Sequence, residues 1–252
     1  MSGIYERQLL LGSEHVDCFR RLRASTLFEL LQTASIRHTE ELGMGRDKTL
    51  DRGLLWVIAR QYAAIERMPV YDERVTLRSW PGETMHVLFP RYYEIVGRGG
   101  ETLVRGSMLG SLMDRETRAT VFPDEYGVEI AGVKTGREAP YLVKMPVLET
   151  PNRFSFTVPY SYVDLNGHMN NTRYFDLVED NLPAAVTGKA LREVYAEYSA
   201  ESKLGVTLDV AWGGENGTYY ASGGIGGGGD SAGRHCFRMG LVYDSCSEPE
   251  ES

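Results

Sequence analysis

An α+β fold made of two similar halves, each a long helix packed against an antiparallel sheet, is predicted by three features of the sequence. The chain repeats itself at a constant separation. Each half has one helical pattern followed by several short strand patterns, and a stretch rich in proline and glycine lies between the halves. A helix followed by consecutive strands, twice over, is typical of α+β architecture.

The repeat is clearest in two segments that each begin with an aspartate and continue into a helical pattern. Residues 15–34, HVDCFRRLRASTLFELLQTA, resemble residues 162–181, YVDLNGHMNNTRYFDLVEDN, at a separation of 147 residues. This similarity predicts two copies of one folding unit. The matching pairs are Val16 and Val163, Asp17 and Asp164, Phe28 and Phe175, and Leu30 and Leu177.

Apolar spacing predicts one helix in each half. The first spans Ser25 to Leu42, where leucine and alanine recur at helical spacing, and Gly43 provides its end. The second spans Asn171 to Val186, with Pro183 as a position where the helix kinks or ends. Alternating and β-branched runs predict strands at 54–67, 74–79, 86–96, 102–114, 119–121, 193–202, 206–212, 218–223 and 235–243.

Composition shifts divide the chain into four parts. We expect an N-terminal domain over 1–128, a linker over 129–151, a C-terminal domain over 152–245 and a disordered acidic tail over 246–252. The glycine-rich run 223–233 lacks the spacing and the lysine of a phosphate-binding loop, so we interpret it as a hairpin loop.

Composition and charge exclude several classes of protein. The formal net charge of −8 argues against nucleic-acid binding, and no apolar run is long enough for a membrane span. The N-terminus lacks the basic start and apolar core of a signal peptide. The three cysteines fit no metal or disulfide spacing, which suggests a reducing, cytoplasmic setting.

The segment 158–177, VPYSYVDLNGHMNNTRYFDL, carries the candidate chemistry. Asp164, Asn166 and His168 stand at alternate positions, so an extended backbone would project them to one side. The helix that follows would point unpaired backbone N–H groups, near 170–172, toward the same space as oxyanion donors. A simpler interpretation is that Asn166 and Gly167 form only a turn and that an asparagine at 170 or 171 caps the helix.

Only the second half carries the full polar set. Phe19 stands opposite Asn166, and Arg21 stands opposite His168. This asymmetry favours a functional role for the second half, with the first half supplying apolar walls. Leu30, Trp56, Ile58 and Met108 are of the type expected in the walls of an acyl-binding site, although for any one of them a place in an ordinary core is the preferred interpretation.

In these motifs the chain resembles the acyl-acyl-carrier-protein (acyl-ACP) thioesterases of plants and bacteria. The resemblance covers about residues 3–243. It rests on the run from Asp164 to Asn171, on Tyr174, on Glu197-Tyr198-Ser199-Ala200-Glu201, and in the first half on 110–114 with Thr117 and Arg118.

The resemblance implies two tandem hot-dog domains and hydrolysis of fatty acyl-ACP to free fatty acid and ACP. The implied catalytic residues are Asp164, Asn166, His168 and Glu201, and no metal or cofactor is required. Plant members carry a cysteine, once proposed as the nucleophile, where this chain has Ser202. That departure disfavours a cysteine-nucleophile mechanism, and we treat Ser202 as peripheral.

In the mechanism that we expect, water attacks the thioester carbon and Glu201 is the general base. A direct nucleophilic role for Glu201 and a basic role for His168 stay open. Glu197 is an alternative carboxylate because counting by twos places it, Ser199 and Glu201 on one strand face.

The rival functions are an acyl-coenzyme A thioesterase and a non-catalytic acyl-binding protein. Recognition of acidic ACP by an acidic chain requires a local basic patch, for which Arg20, Arg21 and Arg23 are candidates. A solvated surface turn is the alternative interpretation of that cluster. The resemblance leaves a homodimer open.

Overall fold

Two compact units, Met1–Val143 and Lys144–Ser252, make up the computed structural model of the chain. The structure describes residues 3–141, 143–226 and 233–244. The predicted acidic tail over 246–252 and most of the predicted glycine-rich loop lie outside the described residues. The division between the units falls within the range 129–151, which the sequence assigns to a linker.

The first unit contains one long helix and a five-stranded antiparallel sheet. Helix α1 spans Ala24–Glu41, and the strands follow the order β1-β3-β4-β5-β2 across the sheet. The strands are β1 (Tyr5–Leu10), β2 (Leu54–Ile65), β3 (Arg74–Pro81), β4 (Leu88–Val96) and β5 (Thr102–Asp114).

The second unit repeats this arrangement with a shorter helix. Helix α2 spans Arg173–Glu179, and the strands follow the order β6-β8-β9-β10-β7, which is the order of the first unit shifted by five strands. The shared order confirms the repeat and the α+β fold class. The strands are β6 (Asn152–Thr157), β7 (Leu191–Tyr198), β8 (Thr207–Glu215), β9 (Thr218–Ile225) and β10 (His235–Tyr243).

Helix α1 is amphipathic, as its sequence predicts. Its buried face includes Leu27, Phe28 and Leu31, and the helix packs against β3. After the helix, Gly43 adopts a φ of +73°, and its N–H donates to the carbonyl oxygen of Glu40 at 2.9 Å. The predicted glycine end of the first helix is therefore confirmed.

The predicted second helix is too long. Helix α2 ends at Glu179 instead of Val186 because a side chain that follows the helix forms a hydrogen bond with a carbonyl oxygen of its last turn. The Asn181 side chain donates to the Leu177 carbonyl oxygen at 2.9 Å, and Pro183 disfavours helical geometry for the residue before it. A short 3₁₀ turn over Ala184–Val186 follows.

Several strand bounds also differ from the prediction. Strand β7 ends at Tyr198 instead of continuing to Ser202, and the run 119–121 forms only an isolated bridge between Met113 and Thr120. The sequence pattern did not indicate β1 or β6. Each of these strands lies at the edge of its unit's strand order, and its residues are mostly exposed, so the apolar alternation is weak.

A cluster in the first unit joins the ends of its strands to the segment that follows them. Leu54, Phe89 and Leu112 are buried together with two later valines, Val121 and Val128. Residues beyond β5 are therefore held against this unit by apolar packing, which stabilises it through removal of apolar surface from water.

Truncation of the cluster is expected to destabilise the protein. Leu112 is fully buried, so Leu112→Ala should lower the free energy of unfolding by about 3 kcal/mol through lost burial and the remaining cavity. Urea unfolding followed by fluorescence measures this change. Ile36→Ala is the control, since Ile36 on α1 is 62% exposed and should change stability by less than about 0.5 kcal/mol. Equal destabilisation by both variants would contradict the packing described here.

No helix within the described ranges is long and apolar enough to cross a membrane.

Candidate active site

A tight turn over residues 164–168 presents His168. The Asp164 N–H donates to the His168 carbonyl oxygen at 2.9 Å, and the Gly167 N–H donates to the Asp164 carbonyl oxygen at 3.0 Å. The Asp164 carboxylate accepts the Asn166 N–H at 2.8 Å, and Gly167 has a φ of +81°. Asn166 and Gly167 therefore do form a turn, and the Asp164 side chain stabilises it.

A second segment, residues 201–203, pairs with the residues just after this turn. The Met169 N–H donates to the Ser202 carbonyl oxygen at 2.7 Å, and His168 forms an antiparallel bridge with Lys203. This backbone pairing places Glu201 beside His168, although 32 residues of helix, turn and strand separate them along the chain.

His168 and Glu201 are in direct side-chain contact. The distance between His168 Nε2 and Glu201 Oε2 is 3.1 Å, within hydrogen-bond range. The imidazole is 16% exposed, and the carboxylate side chain is 39% exposed. The pair thus combines an imidazole in a fixed position with a carboxylate that water can reach. A general base or acid for proton transfer to or from a reacting group requires such side chains.

The other two predicted site residues have different surroundings. Asp164 is bound to the backbone of its own turn through its carboxylate, as described above. Asn166 is exposed at the tip of that turn. The structure therefore brings together His168 and Glu201 by side-chain contact, whereas Asp164 and Asn166 are linked to them through the turn.

Glu197 has a partner of its own. Its carboxylate lies 2.6 Å from Arg238 Nη2, directly across the β7–β10 pairing. The prediction that Glu197, Ser199 and Glu201 share a strand face is wrong because β7 ends at Tyr198, before the chain turns toward His168. Of the two candidate carboxylates, Glu201 is the one that contacts the histidine.

The expected oxyanion donors at the start of α2 are already in use. The Asn170 N–H donates to the Tyr162 carbonyl oxygen, and the Thr172 N–H donates to the Asn170 side-chain oxygen, both at 2.9 Å. Asn170 lies before Thr172, the N-cap residue of α2, so the prediction of a helix N-cap at 170 or 171 is wrong, although both of these N–H groups have partners. The prediction that N–H groups at 170 and 172 face a ligand is wrong for this reason.

Ser202 follows Glu201 directly in the chain but does not reach solvent. It is fully buried, and its hydroxyl accepts a hydrogen bond from the Tyr174 hydroxyl at 2.8 Å. Burial raises the pKa of the Tyr174 phenol well above its ordinary value, so Tyr174 stays protonated and donates. A protonated phenol cannot act as a base toward Ser202, and this contact was not indicated by the sequence.

The first unit contains the same turn without the pair. The Asp17 N–H donates to the Arg21 carbonyl oxygen at 2.8 Å, and the Asp17 carboxylate accepts the Phe19 N–H at 2.9 Å. Arg21 occupies the position of His168, and its guanidinium returns to Asp17 at 2.9 Å. The repeat therefore preserves the turn in both units, while only the second unit directs the residue at this position toward a glutamate.

Within the described ranges, no group of three or more histidine, cysteine or acidic side chains is arranged to hold a metal ion.

Comparison with known proteins matches both halves of the chain to one family. Residues 3–129 match the family described as "Acyl-ACP thioesterase N-terminal domain", and residues 147–224 match "Acyl-ACP thioesterase C-terminal domain".

Curated relatives include plant enzymes of low sequence identity. The dodecanoyl-(acyl-carrier-protein) hydrolase of Cinnamomum camphora is 25% identical over 203 residues, which are 73% of this chain and 52% of that protein. The palmitoyl-acyl carrier protein thioesterase of Arabidopsis thaliana is 22% identical over 222 residues, 79% of this chain and 52% of that protein. The chain spans about half the length of the curated relatives it matches.

Solved structures share the fold over almost the whole chain. An acyl-ACP thioesterase from Bacteroides thetaiotaomicron aligns with a TM-score of 0.82 and 20% identity, covering 97% of this chain and 100% of that one. The 12:0-ACP thioesterase from Umbellularia californica aligns with a TM-score of 0.79 and 20% identity, covering 98% and 99%. By the two domain matches, the chain belongs to the acyl-ACP thioesterase family.

Proposed function

We propose that this chain hydrolyses fatty acyl-ACP to a free fatty acid and ACP. The observation that carries the proposal is the contact at 3.1 Å between His168 and Glu201, in a chain that belongs to the acyl-ACP thioesterase family. A carboxylate in contact with an imidazole, and open to water, suits the activation of water for attack on an acyl carbon.

The proposed reaction begins with attack of water on the thioester carbon. Glu201 accepts a proton from that water, and His168 holds the Glu201 carboxylate in position through Nε2. The carbon–sulfur bond then breaks, and the leaving thiolate takes the proton back from Glu201. Asp164 stabilises the turn that carries His168, and Asn166, at the exposed tip of that turn, positions the attacking water.

We assign the acyl chain to the N-terminal half, residues 1–128, and the chemistry to 152–245. Among the four residues named as wall candidates, Trp56 is 37% exposed, and Leu30, Ile58 and Met108 are intermediate in burial. Residues of an ordinary core would be more deeply buried, so this partial exposure supports a lining role over a core role.

Ser202 is expected to be dispensable for the chemistry. Ser202→Ala should keep kcat within about threefold of the native value, because Ser202 lacks a base, and should lower stability by about 2 kcal/mol, because Tyr174 loses its acceptor. Kinetics and urea unfolding of the same preparation measure both effects. A drop in kcat of a hundredfold or more, with an acyl adduct absent only in the variant, would make Ser202 the nucleophile.

A panel of thioesters tests the proposal. Free thiol release is measured with acyl-ACP and acyl-coenzyme A substrates of several chain lengths, using the purified protein. We expect turnover on acyl-ACP, with kcat/KM at least about tenfold above that for the matching coenzyme A thioester. Turnover on coenzyme A thioesters alone would overturn the carrier assignment, and acyl binding without any turnover would indicate a binding protein.

Compartment and assembly belong to the same proposal. Cys18 is exposed and Cys236 is buried, and both are free thiols, which is typical of a reducing compartment such as the cytoplasm. Cys246 lies outside the described residues. The proposal includes a homodimer of this chain. Light scattering of the purified protein measures the molar mass of the assembly directly.

A further inference from the structure

Two loops of the first unit form one exposed surface, which we call the arginine surface. It comprises residues 17–23 and 67–74, and the last of these, Arg74, is the first residue of β3. The Tyr71 N–H donates to the Arg20 carbonyl oxygen at 2.8 Å, and the Leu22 N–H donates to the Pro69 carbonyl oxygen at 2.8 Å. Because backbone hydrogen bonds join the loops, their side chains are held as a single patch.

The arginine surface is positive in a chain that is acidic. The two loops contain five arginines and three carboxylates, whereas the whole chain has a net charge of −8. Asp17 is paired with Arg21. Glu73 lies 2.7 Å from Arg67, whose guanidinium holds the pKa of Glu73 below its ordinary value.

These pairings leave most of the positive charge of the patch uncompensated. Arg20, Arg23 and Arg74 are all exposed. Asp72 is the one acidic side chain of the two loops that lies outside these pairs, so three arginines face a single carboxylate. Within the described parts of the chain, Arg20 and Arg23 have no ion pair. The patch therefore presents a local positive field against the negative field of the molecule.

Exposed apolar side chains are interleaved with these arginines. Phe19 is 47% exposed, Val70 37% and Tyr71 42%. The Arg20 guanidinium lies over the Tyr71 ring at 5.4 Å, and the Arg21 guanidinium lies over the Phe19 ring at 4.9 Å. Arginine and aromatic side chains in contact are the residues that dominate binding energy at protein interfaces.

Arg20 occupies a backbone position that disfavours it. Its φ is +64°, in the left-handed region, and the corresponding residue of the second unit is Gly167 with a φ of +81°. Glycine adopts this conformation without a steric cost, whereas arginine does not. The turn itself therefore gives no reason for an arginine here, and strain of this kind is typical of functional positions.

We propose that the arginine surface docks the acidic surface of the carrier protein during thioester hydrolysis. This inference rests on the proposed function, since it names the part of the chain that recognises the carrier. An acidic chain repels an acidic partner at long range, so binding requires a local patch of opposite charge. The arginine surface supplies that charge together with aromatic side chains that anchor the contact.

The test compares one arginine of the patch with one outside it. Arg20→Gly installs the residue that the second unit uses at this position, so the fold is preserved and the guanidinium is lost. Arg115→Gly is the matched control, because Arg115 is also an exposed turn arginine of the first unit and lies at the far end of β5 from Arg67. Kinetics use acyl-ACP and the same acyl group on N-acetylcysteamine.

The two substrates separate docking from chemistry. We expect Arg20→Gly to raise KM for acyl-ACP about tenfold without changing kcat, and to leave hydrolysis of the N-acetylcysteamine thioester unchanged. Tyr71→Ala should act in the same direction. The native KM for acyl-ACP should rise with salt, and this dependence should weaken in Arg20→Gly. Arg115→Gly should match the native protein on both substrates.

Failure of this inference differs from failure of the proposed function. An unchanged KM for acyl-ACP in Arg20→Gly, or equal effects of Arg20→Gly and Arg115→Gly, would overturn the docking surface while the hydrolase assignment stands. If the native chain hydrolyses no thioester, fluorescence anisotropy with labelled carrier protein decides instead. Binding that is lost in Arg20→Gly would support the surface, and absent binding by the native chain would overturn it.

Discussion

Glu201→Gln is expected to lower kcat for acyl-ACP hydrolysis by about a thousandfold. Glutamine keeps the size of the side chain and an oxygen that can accept a hydrogen bond from His168, but it cannot take a proton from water. Removal of a general base typically costs a factor of a hundred to ten thousand. Because the Glu201 side chain is 39% exposed, the fold should be unaffected, which circular dichroism and thermal unfolding check.

Glu197→Gln is the control for this prediction. Glu197 is a second glutamate of the same unit, four residues away, and its carboxylate contacts Arg238 at 2.6 Å instead of a histidine. We expect this variant to retain kcat within about fivefold. A loss of activity in Glu197→Gln, with Glu201→Gln active, would assign the chemistry to the other carboxylate.

His168→Ala is expected to lower kcat by about a hundredfold or more. The imidazole is the group in contact with the Glu201 carboxylate, so its removal releases that carboxylate from its position. The effect should fall on kcat, with KM for acyl-ACP changed by less than about threefold, because His168 lies outside the arginine surface.

His235→Ala serves as the matched histidine control. His235 is the first residue of β10 in the same unit, where it is exposed, and it has no place in the proposed reaction. It should retain activity within about twofold. Equal losses in both histidine variants would show that histidine removal harms the unit in general, and the assignment of His168 would then fail.

Much of the fold can be predicted from local sequence patterns, because the repeat presents the sequence pattern of the same folding unit twice. Strands β5 and β10 lie where alternation predicts them, since both are long and flanked by clear turn residues. Helix α1 agrees with its prediction within one residue at each end. The common strand order of the two units is the structural form of the 147-residue repeat.

The second helix was predicted too long because its ending depends on contacts that periodicity does not report. Apolar residues continue at helical spacing past Glu179, whereas the Asn181 side chain and Pro183 end the helix. Propensity alone is a weak guide when side-chain hydrogen bonds compete with the backbone ladder.

The site was predicted in part because its two central residues come together through long-range pairing. The sequence indicates both His168 and Glu201 as site residues, yet its period of two suggests that Glu201 is presented on a strand face shared with Glu197. The structure instead uses a backbone pairing of residues 168–169 with 202–203. Such pairing is set by the fold of the whole unit and leaves no periodic signal in either segment.

A double-mutant cycle on acyl-ACP tests the central claim most directly. The kcat values of the native chain, His168→Ala, Glu201→Gln and the double variant are measured with the chain length that the panel shows to be turned over fastest. If the pair acts as one unit in hydrolysis, the double variant should be no more than about fivefold slower than Glu201→Gln alone. Losses that multiply, or four proteins that hydrolyse acyl-ACP equally, would contradict the account.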